Sequence, residues 1–430
     1  MTLQAMPFVP GEVSGRLRHR LRDGESDCIL LLHFEDLVPL ETPPAGLIVI
    51  GGAPLSHPMT ELQGLGIPTV IVSSRQAEYL QEGERIWIDG ITGEIGRGEV
   101  PDPQSVGAHS NVPGEPFHTA DGLAVELRAS ITGEQGARDA HAVGATAVGM
   151  VRTEYLVPSH GRMPDQAFYE KSFAAICAAA DPLPVTFRLL DISVDKKPTW
   201  LGEVSGMTGL LGMQGSRLFG TRPVSGLVSA QAAALANVSR NYPLRVLVPY
   251  VASPEEFRHW RNRLRAWLPD RIPIGPMAET PAAALAMPEW QRIADFVSIG
   301  CNDLMQCLFG ADRDIPDVAG YLDPYAPTLL RFLDLVARAA GARGLERIQL
   351  CGLLMQMPGV LPLLLGLGFR RFSMAPRLIP AMSRVLARTR LGEAEQLATT
   401  VLAASDSGSV RELLGMAPET RPPTPWDQTG

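Results

Sequence analysis

Short apolar runs of strand length alternate along the chain with longer segments that carry apolar residues at helical spacing. From residue 118 onward, eight near-continuous apolar runs occur: VELRASI, AVGMVRT, PVTFRLLD, LRVLVPYV, IPIGPMAE, FVSIGCND, IQLCGLL and RRFSMAP. Near-continuous apolar runs are typical of parallel strands that are buried on both faces. Eight strand–helix units in about 270 residues predict a (β/α)8 barrel, with an open doubly wound sheet as the alternative.

The first hundred residues have a different pattern. Short apolar runs (DCILLLHF, AGLIVIGG, IPTVIVSS and RIWIDGITGEIGRG) are separated by Gly and Pro turns, which predicts a small β/α domain. The next stretch, VPDPQSVGAHSNVPGEP, is rich in Pro, Gly and Ser and has no hydrophobic period, as in an exposed linker. We therefore predict a domain at 1–99, a linker at 100–117, a barrel at 118–415 and a tail at 416–430.

Composition narrows the class of protein. With 45% hydrophobic and 20% charged residues, the chain is expected to fold fully. A net charge of −8 and a pI near 5.6 give no general attraction to nucleic acid or to an anionic membrane. The five cysteines are scattered without metal-ligand spacing, and no signal sequence or run of 18 apolar residues occurs. We expect a cytoplasmic protein that partners neither nucleic acid nor membrane.

Polar residues collect at the ends of the predicted barrel strands. Active-site residues of such barrels lie at the carboxyl ends of the strands, so this one-sided distribution predicts a site there. The residues at the ends of the second, third, fifth, sixth and seventh predicted strands are Arg152, Arg188 with Asp191, Glu279, Asn302 with Asp303, and Cys351.

The charged members of this set suit a small, highly charged substrate. Arg152 and Arg188 can bind an oxyanion through paired hydrogen bonds. Glu279 and Asp303 offer the hard oxygen ligands that Mg²⁺ prefers. Taken singly, each of these residues has an equally good structural interpretation as a salt-bridge partner or a helix cap. Their occurrence together favours a functional site.

Three further residues fit phosphoryl transfer. Asn302 can donate its amide to a phosphate oxygen, and Arg313 in GADRDI can neutralise charge on a transferring phosphoryl group. The thiol of Cys351 can donate a proton, although a cysteine flanked by apolar residues is most often a small buried hydrophobic residue. We interpret the side chains of Cys301 and Cys307 as structural.

These motifs resemble those of the phosphoenolpyruvate-utilising enzymes, which include enzyme I of the sugar phosphotransferase system, pyruvate phosphate dikinase and phosphoenolpyruvate synthase. The segment GGAPLSHPMTELQGLGIPTV, residues 51–70, resembles the family's phosphohistidine loop. Seven more are similar to its barrel motifs, in order: TADGLAVELRASI, GMVRTEYL, TFRLLDISVDK, MAETPAA, VSIGCNDLMQ, DRD and CG. The resemblance covers nearly the whole chain and implies a small swivelling phosphohistidine domain before the barrel.

The resemblance assigns a role to each candidate residue. It implies that His57 attacks the phosphorus of phosphoenolpyruvate, held with Mg²⁺ at the barrel mouth, and leaves phosphohistidine and enolpyruvate. By the same resemblance, the phosphate and carboxylate are bound by Arg152 and Arg188, the metal by Glu279 and Asp303, and the phosphoryl group by Asn302 and Arg313. Cys351 protonates enolpyruvate, and Gly300 with the backbone of Cys301 lines the site.

The chain departs from the family pattern at several positions. Gln63 and Gln214 stand where the family usually has arginines, so a phosphoryl group on His57 would lack two cations. The other departures replace a threonine, a glycine pair and an acid, and they are Leu55, Ser193 with Val194, and Leu353.

The resemblance also indicates what partners to expect. Residues 20–45 leave no room for the carrier-docking domain of enzyme I, and no nucleotide-binding ATP-grasp domain is present. We therefore expect an unidentified phosphoryl-acceptor protein or a separate nucleotide-binding subunit, and a homodimer through the barrel. The main hypothesis is a Mg²⁺-dependent phosphotransferase. The alternatives are a subunit of a split dikinase or synthase, and a non-catalytic phosphoenolpyruvate-binding regulatory protein.

Overall fold

Two β-sheets, one on each side of residue 100, organise the part of the chain that the structure describes. The structure is a computed structural model, and the residues it describes are 3–21, 26–37, 43–51, 59, 62, 65–100, 111–158, 162–194, 197–209 and 211–416. None of the helices within these ranges has the length and apolarity needed to cross a membrane.

The first sheet has eight strands in the order β1-β8-β7-β3-β4-β5-β6-β2. The strands from β3 to β6 pair in parallel, and the others pair antiparallel. Side chains alternate between two cores, so that Ile29 and Leu31 pack on one face and Leu30 on the other. The strands are β1 (Leu3–Gln4), β2 (Met6–Val9), β3 (Glu12–Arg18), β4 (Cys28–His33), β5 (Gly46–Ile50), β6 (Thr69–Val72), β7 (Arg85–Asp89) and β8 (Glu94–Arg97).

The second sheet is a closed barrel of eight parallel strands, which confirms the predicted (β/α)8 fold and excludes the open sheet. Strand β10 pairs with both β11 and β17, and this double pairing closes the ring. A short strand, β9 (Phe117–His118), joins β10 antiparallel. The barrel strands are β10 (Ala124–Ile131), β11 (Val148–Arg152), β12 (Val185–Arg188), β13 (Leu244–Val248), β14 (Ile274–Ala278), β15 (Val297–Gly300), β16 (Ile348–Cys351) and β17 (Arg371–Met374).

Helices follow the barrel strands and cover their outer faces. Local capping determines where several begin: the Ser253 hydroxyl accepts a hydrogen bond from the amide of Glu256 at 3.2 Å, just before α5. After α1 (Ser74–Ala77) in the first domain, the helices are α2 (Glu134–Ala142), α3 (Gln166–Ala180), α4 (Val224–Val238), α5 (Pro254–Leu264), α6 (Pro281–Leu285), α7 (Met287–Ile293), α8 (Cys301–Phe309), α9 (Pro316–Ala319), α10 (Pro327–Leu345), α11 (Val360–Gly366), α12 (Ile379–Arg388), α13 (Leu391–Leu402) and α14 (Ser407–Leu413).

The barrel interior contains both apolar and buried polar side chains. One buried apolar cluster, separate from the larger core between the strands and the helices, consists of Met150, Leu247, Met277, Phe296 and Cys351. Beside it, the Arg128 guanidinium donates to the Gln349 side chain at 3.0 Å, and the Gln349 amide donates to the Ser298 hydroxyl at 3.3 Å. Side chains from alternate strand positions therefore fill the barrel, and a ligand has room only at its ends.

Residues 111–118, at the end of the predicted linker, are attached to the barrel. The Asn111 side chain donates to the carbonyl oxygen of Gly144 at 3.2 Å, and the amide of Gly114 donates to that of Ala145 at 2.9 Å. Much of the predicted linker, 101–110, lies outside the described residues. The division into a swivelling domain and a barrel therefore stays a prediction.

The first sheet contacts the barrel. A cavity of about 420 Å³ lies between them, lined on one side by Pro7 and Phe8 and on the other by Met357 and Met382. In this arrangement the first domain lies on the barrel rather than apart from it.

Candidate active site

A cavity of about 650 Å³ opens at the carboxyl ends of the barrel strands. It brings together eight of the nine barrel residues predicted for the site: Arg152, Arg188, Glu279, Gly300, Asn302, Asp303, Arg313 and Cys351. Residues from many strand–helix units meet here because all parallel strands of a barrel end on the same face. Their common location is a result of the structure, whereas their individual roles remain predictions.

Two predicted residues are not among the cavity-lining side chains. Cys301 begins α8, and its thiol is buried and donates to the carbonyl oxygen of Ile299 at 3.9 Å. Burial raises the pKa of this thiol. His57 lies outside the described residues, as do Gln63 and Leu55.

Arg188 is held by two carboxylates. Its Nη2 donates to Oε1 of Glu154, and its Nη1 lies 2.9 Å from Oδ2 of Asp191. Burial by itself lowers the pKa of Arg188, but Asp191, Glu154 and Glu279 outweigh burial and raise it above its ordinary value. The guanidinium at the end of β12 is therefore charged and fixed in direction.

Arg152, at the end of β11, shares Glu154 with Arg188. Its Nε donates to Oε1 of Glu154 at 3.2 Å, and its guanidinium carbon lies 4.4 Å from the ring centre of Tyr155. The ring and the carboxylate orient the guanidinium while leaving part of it in the cavity.

Glu279 lies directly after β14 and is almost completely buried, with 2% of its surface exposed. Its Oε2 accepts a hydrogen bond from the amide of Tyr250 at 2.9 Å. Burial raises the pKa of Glu279 well above its ordinary value, and the negative charges of Asp303 and Asp191 raise it further. Within the described ranges, no group of three or more His, Cys, Asp or Glu side chains is arranged to hold a metal.

A glycine makes the position of Glu279 possible. A Cβ atom at Gly300 would lie 2.6 Å from both Cγ and Oε1 of Glu279. Any side chain at position 300 would therefore push the carboxylate away from the first turn of α8, where Asp303 lies.

The sixth strand ends earlier than the sequence predicted. Strand β15 stops at Gly300, so Asn302 and Asp303 lie in the first turn of α8 and not at a strand end. The helix follows the strand without a connecting loop, since it begins at Cys301. Its first turn directs both polar side chains into the cavity.

Gln306 connects Asp303 to the loop that carries Arg313. Its buried amide donates to Oδ1 of Asp303 at 2.7 Å, and its carbonyl oxygen accepts from the amide of Arg313 at 2.9 Å. One side chain on α8 thus positions an acidic and a basic residue of the cavity.

Asn302 is positioned by the loop after β16. Its Oδ1 accepts from the amide of Leu353 at 2.8 Å, which leaves the side-chain nitrogen as the donor. Gly352 has a φ of +115°, and a Cβ there would lie 2.6 Å from Oδ1 of Asn302. The glycine of the CG motif is therefore needed for the approach of this loop to α8.

Cys351 ends β16 and has its thiol between two polar groups. The Ser298 hydroxyl donates to the sulfur at 3.4 Å, and the thiol donates to the carbonyl oxygen of Ile299 at 3.3 Å. Burial raises the pKa of Cys351 to about 12. The thiol is therefore protonated at neutral pH, as a proton donor must be.

Sequence reasoning missed several residues that shape this site. Tyr250 has a φ of +50°, which is rare for a residue with a side chain, and its backbone amide donates a hydrogen bond to the Glu279 carboxylate. Its position just after β13, in LVPYV, could have suggested a contribution from the fourth strand. Glu154 follows Arg152 by two residues in VRTEYL, and Gln306 lies one helical turn after Asp303.

The family model for the PEP-binding domain of PEP-utilising enzymes matches residues 108–391 of the chain. This range contains all eight barrel strands and every residue of the cavity named above.

Three relatives with assigned names are similar to the chain over most of its length. A multiphosphoryl transfer protein of Xanthomonas campestris pv. campestris is 32% identical over 414 residues, which make up 90% of this chain and 49% of the relative. A phosphoenolpyruvate-protein phosphotransferase of Lactococcus lactis subsp. lactis is 28% identical over 91% of this chain and 72% of the relative. A phosphoenolpyruvate-protein phosphotransferase of Haloferax volcanii is 29% identical over 94% of this chain and 76% of the relative. The chain spans about half the length of the first relative and about three quarters of the other two.

Proposed function

The chain belongs to the family of PEP-utilising enzymes, and from that premise we propose that it transfers the phosphoryl group of phosphoenolpyruvate to His57. The observation that carries the proposal is the cavity at the barrel mouth, where arginines, the buried Glu279, the half-buried Asp303 and a protonated thiol line one space. Two named activities among the relatives, phosphoenolpyruvate-protein phosphotransferase and multiphosphoryl transfer, are consistent with it.

Binding of phosphoenolpyruvate is assigned to the polar groups around the cavity. The substrate has a phosphate and a carboxylate, and Arg152 and Arg188 supply two guanidinium groups to bind them. The side-chain nitrogen of Asn302 and the guanidinium of Arg313 are assigned to the phosphoryl oxygens. The ion pairs of Arg188 with Glu154 and Asp191 hold its guanidinium in place before substrate arrives.

Mg²⁺ fits the acidic side of the cavity. Glu279 and Asp303 offer carboxylate oxygens, the ligand type that Mg²⁺ prefers. Burial first, and then repulsion from Asp303 and Asp191, raise the pKa of Glu279, and a bound divalent cation would offset that repulsion. When bound, Mg²⁺ withdraws charge from the phosphate and enolate oxygens of the substrate.

The proposed transfer balances without a further reactant. A neutral ring nitrogen of His57 forms a bond to phosphorus as the bond from phosphorus to the enol oxygen breaks, and enolpyruvate leaves as its enolate, with the electron pair of the broken bond on oxygen. The Cys351 thiol then donates its proton to the terminal carbon of this enolate, which becomes pyruvate. The thiolate regains a proton from solvent, and the phosphoryl group remains on His57.

An acceptor must then take the phosphoryl group from His57. We propose a separate acceptor protein, since two of the relatives are phosphoenolpyruvate-protein phosphotransferases. We also propose a swivelling first domain, a homodimer through the barrel and a cytoplasmic location. The last agrees with five cysteines that form no disulfide in the structure.

The test is incubation of the full chain with radiolabelled phosphoenolpyruvate and Mg²⁺. We expect acid-labile, alkali-stable label on the protein that is absent from His57→Ala. His118→Ala, which changes an exposed histidine on β9, should label like the parent protein. Label that persists in His57→Ala would remove the proposed role of His57. Binding of phosphoenolpyruvate without any label would favour a regulatory protein, or a split dikinase subunit that needs its partner.

A further inference from the structure

Arg377 lines the same cavity but has no role in the transfer described above. It lies in the one-turn helix Pro376–Leu378, which follows the last barrel strand, β17. Sequence reasoning did not select it, because it stands beyond the strand end among apolar residues in SMAPRLIP.

The guanidinium of Arg377 has no counter-charge among the described residues. No hydrogen bond or ion pair joins it to them, and its buried Nε has no partner there. Arg188, in contrast, is paired with Glu154 and Asp191. Burial lowers the pKa of Arg377 to about 10, so the group still carries its charge at neutral pH. Arg377 is half-buried with its Nε buried, and a charge so placed with no counter-charge among the described residues is unfavourable. An anion in the cavity would therefore be a favourable partner for it.

Arg377 also faces the first domain. A Cβ atom at Gly66 would lie 3.3 Å from Nη1 of Arg377, so the guanidinium lies against the backbone at that point. Gly66 and His57 are nine positions apart in the segment that resembles the phosphohistidine loop. Arg377 therefore lies where the barrel cavity meets the domain that carries the proposed phosphoryl acceptor.

We propose that Arg377 binds the phosphoryl group during its passage between phosphoenolpyruvate and His57, an inference that rests on the proposed function. A guanidinium suits this role because it makes two parallel hydrogen bonds to phosphoryl oxygens and stays charged throughout the transfer. Arg377 gives up no proton. It stabilises charge on the phosphoryl oxygens while the bond to the enol oxygen breaks and the bond to His57 forms. The barrel thereby supplies a cation to a phosphoryl group for which this chain has Gln63 and Gln214 in place of arginines.

The test compares Arg377→Gln and Arg377→Lys with the parent protein. Calorimetry gives the affinity for phosphoenolpyruvate with Mg²⁺, and labelling at limiting phosphoenolpyruvate gives the rate of phosphorylation. We expect Arg377→Gln to lower the labelling rate at least tenfold, and Arg377→Lys to recover part of that loss because it restores the charge. The matched control is Arg388→Gln, an exposed arginine in the last turn of α12, which should behave like the parent.

The outcomes separate this inference from the proposed function. Equal affinity and equal labelling rate in Arg377→Gln and the parent would overturn the role of Arg377 while leaving phosphorylation of His57 intact. A parent that binds phosphoenolpyruvate but takes no label contradicts the proposed transfer. In that case, weaker binding by Arg377→Gln still identifies Arg377 as an anion-binding residue, whereas unchanged binding rejects it. A loss that Arg377→Lys fails to recover and that coincides with a lower unfolding temperature indicates a structural role and rejects the proposal.

Discussion

Glu279 is a buried acidic residue of the site that has other acidic side chains near it. Its carboxylate accepts a backbone hydrogen bond from Tyr250, and its pKa is raised first by burial and then by two more acidic side chains. An acidic group in such surroundings opposes folding unless a cation or a proton compensates it. Its burial therefore favours a role in binding a cation over a role in stabilising the barrel.

Replacing either acid should separate stability from binding. We expect Glu279→Gln and Asp303→Asn each to weaken Mg²⁺-dependent binding of phosphoenolpyruvate at least tenfold, or about 1.4 kcal/mol. Because Glu279→Gln removes a buried negative charge and keeps an acceptor for Tyr250, its unfolding temperature in the absence of Mg²⁺ should equal or exceed that of the parent. Calorimetry and thermal unfolding measure the two effects.

Glu289→Gln is the matched control for the acidic pair, since Glu289 is exposed in the first turn of α7. Glu289→Gln should leave both the Mg²⁺-dependent affinity for phosphoenolpyruvate and the unfolding temperature close to those of the parent protein. Unchanged affinity in both Glu279→Gln and Asp303→Asn would mean that the metal binds elsewhere.

At the scale of elements, α8 connects an acidic residue of the cavity, Asp303, to a basic one, Arg313. It begins directly after β15, so Asp303 lies in its first turn, and Gln306 one turn later reaches both Asp303 and the backbone of Arg313. A helix provides this coupling because residues three apart lie on the same face. The helix therefore fixes the positions of an acidic and a basic residue that line the same cavity.

Substitution of Gln306 should disturb ligand binding without removing a ligand-binding group. In Gln306→Leu, the amide of Arg313 and the carboxylate of Asp303 lose their buried partner, each at a cost of about 1–3 kcal/mol. We expect a several-fold loss of phosphoenolpyruvate affinity, and a larger loss of Mg²⁺ affinity in Gln306→Glu, which adds repulsion next to Asp303. Titration of each ligand by calorimetry measures both.

Gln396→Leu is the matched control for Gln306→Leu, because Gln396 is exposed on α13 and does not line the cavity. It should bind both ligands like the parent. If Gln306→Leu also bound them normally, Asp303 and Arg313 would be positioned by other contacts.

At the scale of the whole molecule, the two sheets have separate hydrophobic cores. The proposed transfer of the phosphoryl group requires the first domain to approach the barrel mouth and then to reach an acceptor elsewhere. The described arrangement has the first domain against the barrel, with Gly66 beside Arg377. A chain whose two sheets share no hydrophobic core and are joined by a Pro- and Gly-rich segment is suited to such a movement.

Brief digestion with proteinase K should test the division into domains. We expect the first cleavage within 100–110, because residues 111–118 are hydrogen-bonded to the barrel. The larger product should bind phosphoenolpyruvate with Mg²⁺ like the intact chain and acquire no label. Mass spectrometry locates the cut, and calorimetry with radiolabelling measures the two properties. First cleavage inside the barrel, or label on the larger product, would contradict the predicted division or the role of His57.

The sequence by itself predicted the barrel and determined most of its site. Continuous apolar runs predict strands buried on both faces, and their number and spacing predict a closed barrel, but only the pairing of β10 with both β11 and β17 excluded an open sheet. Arg152, Arg188, Glu279 and Cys351 could be selected because the end of a strand is a local property of the chain. The carboxyl ends of all barrel strands lie on one face, so these residues had to meet.

Only the tertiary structure decided which charges are paired and which are not. Arg188 and Arg377 are both arginines near strand ends, yet Arg188 lies between Glu154 and Asp191 and Arg377 has no carboxylate among the described residues. Tyr250, in a left-handed conformation, donates its amide to Glu279, and Arg377 lies against Gly66. In both cases the two residues are far apart in the chain. Such contacts depend on how separate elements pack in three dimensions, and the local apolar pattern from which strands and helices are predicted carries no record of that packing.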